Sequence, residues 1–85
     1  MKFTIYSDPG HGWCKVSRDL LKKLGIADMI STYSYQRKDA VYLEEDCDLG
    51  ILIQALKKTG KSFEYREMVS NKSSKIRSYD YYVNY

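Results

Sequence analysis

Residues 7–13 read Ser7-Asp8-Pro9-Gly10-His11-Gly12-Trp13, and they include the only proline, histidine and tryptophan of the chain. Proline presets φ and glycine permits positive φ, so Asp-Pro-Gly is typical of a tight turn. Apolar and polar side chains alternate over residues 2–6, which predicts a strand, and residues 13–16 predict another. The stretch is therefore expected to form a hairpin corner that anchors Trp13 in the core and presents His11 at the surface.

The first helix is predicted to follow this hairpin directly. Ser17 is a suitable N-cap residue, and Gly25 is a suitable residue to end the helix. Between them, Leu20, Leu21 and Leu24 form one apolar stripe.

A second hairpin and a second helix are predicted next. Residues 32–37 and 40–45 alternate around a polar tip, which indicates two paired strands. The following helix has apolar residues at i, i+3, i+4 and i+7, namely Leu49, Leu52, Ile53 and Leu56. Asp46 or Asp48 is expected to cap it, because an aspartate side chain accepts hydrogen bonds from the first amides of a helix.

A last core strand is predicted up to about Val69, which completes the order β-β-α-β-β-α-β. This order predicts an α+β domain over residues 1–69, with a mainly antiparallel sheet and two short helices on one face. Residues 70–85 form a basic, Tyr-rich C-terminal tail. Tyr79, Tyr81 and Tyr85 share one parity, so an extended tail would present them on one face, or fold back as an added strand.

Composition limits the class of protein. The 85 residues suffice for one domain with a modest core. The net charge of +3 is too small to indicate a nucleic-acid partner by itself, whereas nine tyrosines are unusual and suit a wet binding surface. No apolar run approaches the length of a membrane span, and two cysteines do not make a disulfide framework. These features favour a reduced, cytosolic protein without a membrane partner.

Residues that could carry catalysis or hold a metal are few. Asp8, His11, Cys14 and Cys47 are all possible zinc ligands, but they lack the paired spacing of a structural zinc site. Cys14 and His11 are three residues apart, so on a strand they would point to opposite faces and could not act as nucleophile and base. We therefore expect no enzymatic activity, no metal and no cofactor. The acidic run over residues 44–48 is interpreted as helix capping and a solvated surface.

Two stretches remain as candidates for binding. The amides of Gly10-His11-Gly12 could bind an anion, although the sequence matches neither standard phosphate loop. Stacking rings among cations suit single-stranded nucleic acid or a nucleotide, and the same residue types also anchor protein interfaces. The candidate binding residues are His11, Trp13, Arg37, Lys38, Lys75, Arg77, Tyr79, Tyr81 and Tyr82. The alternative for the tail is a structural role, with its tyrosines covering the sheet.

The chain resembles a family of small proteins of phages and other mobile elements. The resembling stretches are Ser7-Asp8-Pro9-Gly10-His11-Gly12-Trp13, Leu24-Gly25-Ile26-Ala27-Asp28, Ser34-Tyr35-Gln36, Tyr42-Leu43-Glu44-Glu45-Asp46-Cys47-Asp48 and Lys75-Ile76-Arg77-Ser78-Tyr79. The resemblance brings no active site or cofactor. It implies a phage accessory protein in the host cytoplasm that counters host defence by binding a host protein or a nucleotide signal.

The sequence therefore predicts a non-enzymatic binding protein of phage type. The alternative is a small nucleic-acid-binding module that uses its basic and aromatic residues, whose affinity would fall steeply with salt. Open sheet edges and exposed tyrosines also leave a homodimer as one of the expected forms.

Overall fold

A six-stranded sheet forms the centre of the protein, and the computed structural model describes residues 1–84. The strands are β1 (Lys2–Ser7), β2 (Gly12–Ser17), β3 (Tyr35–Arg37), β4 (Ala40–Glu44), β5 (Glu64–Val69) and β6 (Asp80–Tyr81). Their order in the sheet is β5-β1-β2-β4-β3-β6, and every neighbouring pair is antiparallel except β1 and β5. The predicted α+β class and mainly antiparallel sheet are confirmed.

The helices cover one face of this sheet. They are α1 (Arg18–Lys23) and α2 (Leu49–Lys58), and a 3₁₀ turn over Ala27–Met29 follows α1. The Ser17 hydroxyl accepts a hydrogen bond from the Leu20 amide at 3.1 Å, and Gly25 has the positive φ of 72° that a helix-ending glycine supplies. Both capping predictions for α1 are confirmed. Within residues 1–84, no helix is long and apolar enough to cross a membrane.

The hydrophobic core lies between these helices and the sheet. Its most deeply buried members come from the middle of both layers: Cys14, Val41, Leu43, Leu21, Leu52 and Leu56. On the central strands these residues occupy alternate positions, and on each helix they lie along one apolar stripe. Both arrangements agree with the alternation and the i, i+3, i+4 spacing of the sequence.

The predicted cap of α2 is wrong in one respect. Asp48 occupies the N-cap position, but its side chain makes no capping hydrogen bond. Its buried carboxylate instead accepts hydrogen bonds from the Ser31 amide and hydroxyl and from the Ser34 hydroxyl. These donors, which come from the loop before β3, compete successfully with the helix amides because they satisfy a carboxylate that is buried away from water.

The last predicted core strand is an exposed edge strand. β5 pairs only with β1, in parallel, and all of its residues are exposed. Phe63 just before β5 stacks on Phe3 at 5.3 Å, whereas Tyr65 and Val69 remain 55% and 73% exposed. The prediction of a core strand is wrong because the two helices do not extend over this edge. The predicted homodimer stays a prediction.

Residues 70–84 fold back over the face of the sheet that the helices leave uncovered. A 3₁₀ turn, Lys75–Ser78, buries Ile76 against Trp13 and Tyr42, and β6 then pairs with β3. Tyr82 returns to the helix-covered core, where its hydroxyl donates to the Ala27 carbonyl. The tail therefore contacts both faces of the sheet, with Ile76 on the face that the helices leave uncovered and Tyr82 in the helix-covered core. Tyr85, which was also expected on the tyrosine face of the tail, lies outside the described residues.

Candidate functional site

Asp8 organises the hairpin corner. Its Oδ1 accepts hydrogen bonds from the amides of Gly10 and His11, both at 3.0 Å. Its Oδ2 accepts from the Ser74 amide at 2.9 Å, and Arg77 donates to both oxygens, at 2.6 and 2.9 Å. The glycine-rich turn does bind an anion, but that anion is the carboxylate of Asp8. Of the two alternatives for this stretch, the amides of Gly10 and His11 are therefore not open to a ligand, and the structure agrees with a hairpin corner that anchors Trp13.

The Asp8–Arg77 pair joins the tail to the hairpin corner. The Arg77 guanidinium and three backbone amides hold the pKa of Asp8 well below its usual range, and Asp8 raises the pKa of Arg77. The guanidinium also lies over the Trp13 ring, 5.3 Å from its centroid. Arg77 and the buried Trp13 therefore have a structural role, because they connect the tail to the hairpin corner.

The basic–aromatic groove lies on the tail-covered face of the sheet. It is lined by Tyr6, Lys15, Arg37, Tyr42, Ser74, Lys75, Ile76 and Tyr79, and it has a volume of about 270 Å³. A second depression of about 370 Å³ shares Lys15, Arg37 and Tyr42 with it and adds Lys38, Asp39 and Ala40. The groove therefore continues across the sheet toward the β3–β4 turn.

The rings and cations of the basic–aromatic groove contact one another. The Tyr42 and Tyr79 rings are 5.3 Å apart, and the Tyr6 and Tyr42 rings are 6.4 Å apart. Arg37 lies over the Tyr79 ring at 5.3 Å and donates to its hydroxyl at 3.3 Å. Burial raises the pKa of Tyr42, with the neighbouring tyrosines adding to the shift. Such a surface offers aromatic rings for stacking and, beside them, the positively charged side chains of lysine and arginine.

The structure separates the predicted binding residues into different places. Arg37, Lys38, Lys75 and Tyr79 converge on the basic–aromatic groove. Tyr81 lies outside it, where it stacks on Tyr35 at 5.7 Å.

Tyr82 lies in the core, only 3% exposed, and is not available to a ligand. Tyr82 was a candidate because it belongs to the basic, Tyr-rich tail, and residue type alone does not show that its hydroxyl donates to the Ala27 carbonyl in the core.

Three strand residues of the groove, Tyr6, Lys15 and Tyr42, were not predicted from the sequence. Lys15 pairs with Tyr42 across β2 and β4, and Tyr6 pairs with Trp13 across β1 and β2. All of them belong to the parity opposite to the apolar core positions. That parity is readable from the sequence, but the pairing of β2 with β4 is not, because β4 is 23 positions or more beyond β2.

A second cavity, the His11 pocket, lies on the other side of the Lys75–Ser78 turn. It has a volume of about 250 Å³, and none of its lining residues belongs to the basic–aromatic groove. The lining residues are His11, Trp13, Tyr33, Tyr35, Glu44, Asp46, Cys47 and Arg77. His11 is half-exposed, and its Nδ1 lies 3.6 Å from Oε1 of the buried Glu44. His11 and Trp13 thus belong to a cavity of different chemistry, one that combines aromatic rings with carboxylates.

The two cysteines are free and lie in different environments. Cys14 is buried in the helix-covered core, where burial raises the pKa of its thiol to about 12. Cys47 is exposed, and the adjacent Glu44 carboxylate raises the pKa of its thiol to about 11. Both thiols are protonated at neutral pH, and neither has the depressed pKa of a catalytic cysteine. Asp8 is bound to Arg77 and Cys14 is packed in the core, so the four possible zinc ligands of the sequence do not converge.

Among the depressions of the described surface, the basic–aromatic groove is rich in cations and the His11 pocket is rich in carboxylates. Comparisons with protein-family models, with curated proteins and with solved structures find no match to this chain. The chemistry of these two cavities is the basis for assigning a function.

Proposed function

We propose that this chain is a non-enzymatic binding protein whose basic–aromatic groove takes a phosphorylated nucleoside. The observation that carries the proposal is the stack of Arg37 on Tyr79 beside Tyr42, with further cations at the groove's margin. A nucleotide combines a flat base with a negatively charged phosphate, and this groove offers a partner to each.

The rings can supply most of the affinity. Stacking of a base on an aromatic side chain contributes about 1–3 kcal/mol per base, and an adjacent arginine adds a cation–π contribution. The groove and its continuation measure about 270 and 370 Å³. Binding cavities for small molecules start at roughly 300 Å³, so one nucleotide is a ligand of suitable size.

The charges of the basic–aromatic groove are available to a phosphate. Among residues 1–84 the ion pairs are Asp8–Arg77 and His11–Glu44. Neither includes Lys15, Arg37 or Lys75, so a phosphate would not have to displace a carboxylate from these cations. The His11 pocket carries Glu44 and Asp46, which would repel a phosphate, and this favours the groove over the pocket as the nucleotide site.

The resemblance to phage proteins gives this binding a biological setting. A phage accessory protein in the host cytoplasm could counter host defence by sequestering a nucleotide signal, which requires binding but no catalysis. The same tyrosines and arginine would also suit a host protein, since Tyr and Arg are frequent anchors of protein interfaces.

One observation favours single-stranded nucleic acid as the second candidate. The groove continues into a second depression of about 370 Å³ that is lined by Lys15, Arg37 and Lys38. A strand could follow this continuation, with its phosphates along Lys15, Arg37 and Lys38.

The test begins with native mass spectrometry of the protein purified from bacteria, which detects a co-purified nucleotide. Mononucleotides, linear and cyclic dinucleotides and a labelled single-stranded oligonucleotide are then titrated at roughly 50 and 200 mM salt. A free nucleotide as ligand predicts saturation by the small compounds. Nucleic acid as ligand predicts that only the oligonucleotide binds, with affinity that falls steeply as salt rises.

Variants identify the surface that binds. Arg37→Ala and Tyr79→Ala are expected to weaken binding at least about 10-fold, since each removes stacking or charge. Arg66→Ala is the matched control, because it removes an exposed arginine of the edge strand β5 and should change affinity less than about 2-fold. Absence of binding by every nucleotide probe, or equal losses in Arg37→Ala and Arg66→Ala, would refute the proposal. A pull-down that captures a host protein in a Tyr79-dependent way would assign the groove to a protein partner instead.

A further inference from the structure

Glu44, the last residue of β4, is a buried carboxylate held in one orientation. It is 6% exposed, and its Oε2 accepts hydrogen bonds from the amides of Asp46 and Cys47, both at 3.0 Å. Its Oε1 is buried and has no hydrogen-bond partner among residues 1–84. One oxygen is therefore fixed by the backbone, and the other faces its neighbours without a donor.

An oxygen of this kind needs an explanation. Buried polar atoms are nearly always hydrogen-bonded, and the exceptions commonly mark the position of a water or an ion. Nδ1 of His11 lies 3.6 Å from this oxygen, which is longer than a hydrogen bond. The gap between these two atoms is too short for an intervening water but is typical of two ligands of one metal ion.

Asp46 supplies a third ligand at the same point. Nitrogen and oxygen atoms of His11, Glu44 and Asp46 all lie within 4.8 Å of one another. A metal ion bound at about 2.0–2.2 Å from each atom needs ligand atoms about 3–3.5 Å apart. His11 and Asp46 are exposed, so small rotations of their side chains can close this difference while Glu44 stays in place.

We propose that His11, Glu44 and Asp46 form a binding site for a divalent transition-metal ion at the mouth of the His11 pocket. The imidazole nitrogen favours Zn²⁺ over Mg²⁺ and Ca²⁺, which prefer ligand sets made of oxygen alone, and the two carboxylates also suit Mn²⁺. Three protein ligands leave a coordination position open, as in metal sites that also bind a small molecule. The Trp13 indole N–H, which is buried in the lining of the same pocket without a partner among residues 1–84, is a donor for such a molecule.

This inference does not rest on the proposed nucleotide site. The two cavities share no residue, and the Lys75–Ser78 turn lies between them. The residues also differ from the four possible zinc ligands in the sequence, of which only His11 takes part.

The direct test is isothermal titration calorimetry of the untagged protein with Zn²⁺ and, separately, with Mn²⁺. We expect one ion per chain. His11 is the only histidine, so its imidazole gives a single set of NMR signals. Addition of Zn²⁺ should shift these signals, and Co²⁺ should shift them far more because it is paramagnetic.

Variants separate this site from the alternatives. His11→Ala and Asp46→Asn should each weaken Zn²⁺ binding at least about 10-fold, because each removes a ligand from the exposed side of the site. Glu45→Gln is the matched control: it removes the same charge from the neighbouring exposed residue and should change affinity less than about 3-fold. Cys47→Ser should also leave the affinity within about 3-fold, since the thiol is not a ligand.

Three results would overturn the inference. The first is no saturable binding of Zn²⁺ or Mn²⁺, which would leave His11 beside Glu44 without a metal ion. The second is binding that survives both His11→Ala and Asp46→Asn. The third is binding that Cys47→Ser abolishes, which would place the ion on the thiol.

Discussion

The two faces of the sheet are built in different ways. The helix-covered face is closed by apolar side chains from α1 and α2. The tail-covered face is closed by residues 70–84, and its contacts come from tyrosines, one tryptophan and the pair of the buried Asp8 with the exposed Arg77. The packing of the helix-covered face depends on buried apolar area, which has no directional requirement. The packing of the tail-covered face also depends on directional hydrogen bonds, which join residues as far apart as 69 positions in the sequence.

This difference teaches where binding can occur. The two helices cover the first face with apolar side chains, so this face contributes mainly to stability. A single turn, Lys75–Ser78, covers the middle of the second face, and a cavity remains on each side of it. The cavities with functional chemistry therefore lie where the cover is narrow.

The largest expected effect tests the helix-covered face. Leu52 of α2 is fully buried, so Leu52→Ala should lower the free energy of unfolding by about 2–5 kcal/mol through lost transfer energy and a cavity. Urea denaturation followed by circular dichroism measures this change. Gln54→Ala on the exposed side of the same helix should stay within about 0.5 kcal/mol. Equal effects of the two substitutions would contradict the assigned core face of α2.

An intermediate effect should come from Asp8→Asn on the tail-covered face. The substitution removes the negative charge that Arg77 and three backbone amides bind. The tail should loosen from the corner, so Trp13 fluorescence should shift to the red and the melting temperature should fall. Asp28→Asn, at an exposed aspartate, is the control and should change neither quantity.

The same carboxylate predicts a pH dependence. The pKa of Asp8 in the folded protein lies below its ordinary value of 3.8, so the folded state favours the ionised carboxylate. Its stabilising contribution is therefore fully present above pH 3.8 and is lost as the pH falls through the lower folded value. The melting-temperature difference between wild type and Asp8→Asn should shrink as the pH drops below this point. A difference that grows in acid would contradict the role of Asp8.

The smallest effect tests how the tail reaches the other face. Tyr82→Phe removes the hydroxyl that donates to the Ala27 carbonyl, and it leaves that buried carbonyl without this donor. The expected loss is about 1 kcal/mol. Tyr81→Phe alters an exposed ring and should change stability by less than about 0.5 kcal/mol. Urea denaturation of the pair measures both values, and a larger loss in Tyr81→Phe would be inconsistent with Tyr82 as the core residue.

Local features of the fold were predictable because their causes lie within a few residues. Ser17 caps α1 and Gly25 ends it, and both effects depend on neighbouring backbone groups. The Asp-Pro-Gly corner and the apolar stripe of α2 follow from turn chemistry and helical spacing in the same way.

The candidate sites were predictable only in part. Arg37, Lys38 and Tyr79 were identified from residue type, because aromatic and basic side chains suit nucleotides wherever they lie. Their groove partners Lys15 and Tyr42 become neighbours only through the pairing of β2 with β4. Glu44 was interpreted as a surface residue, and its burial beside His11 depends on the same pairing, which sets it opposite Trp13.

The sequence by itself determined the α+β class, the order of the elements and the parity that separates core positions from the opposite face. Those properties follow from periodicity and capping, which act over short distances along the chain. Only the tertiary structure decided that Arg77 binds Asp8, that Asp48 binds two serines, and that the tail divides the second face into two cavities. These outcomes depend on which polar groups, distant in the sequence, the fold brings together to form hydrogen bonds, and no local sequence pattern specifies those partners.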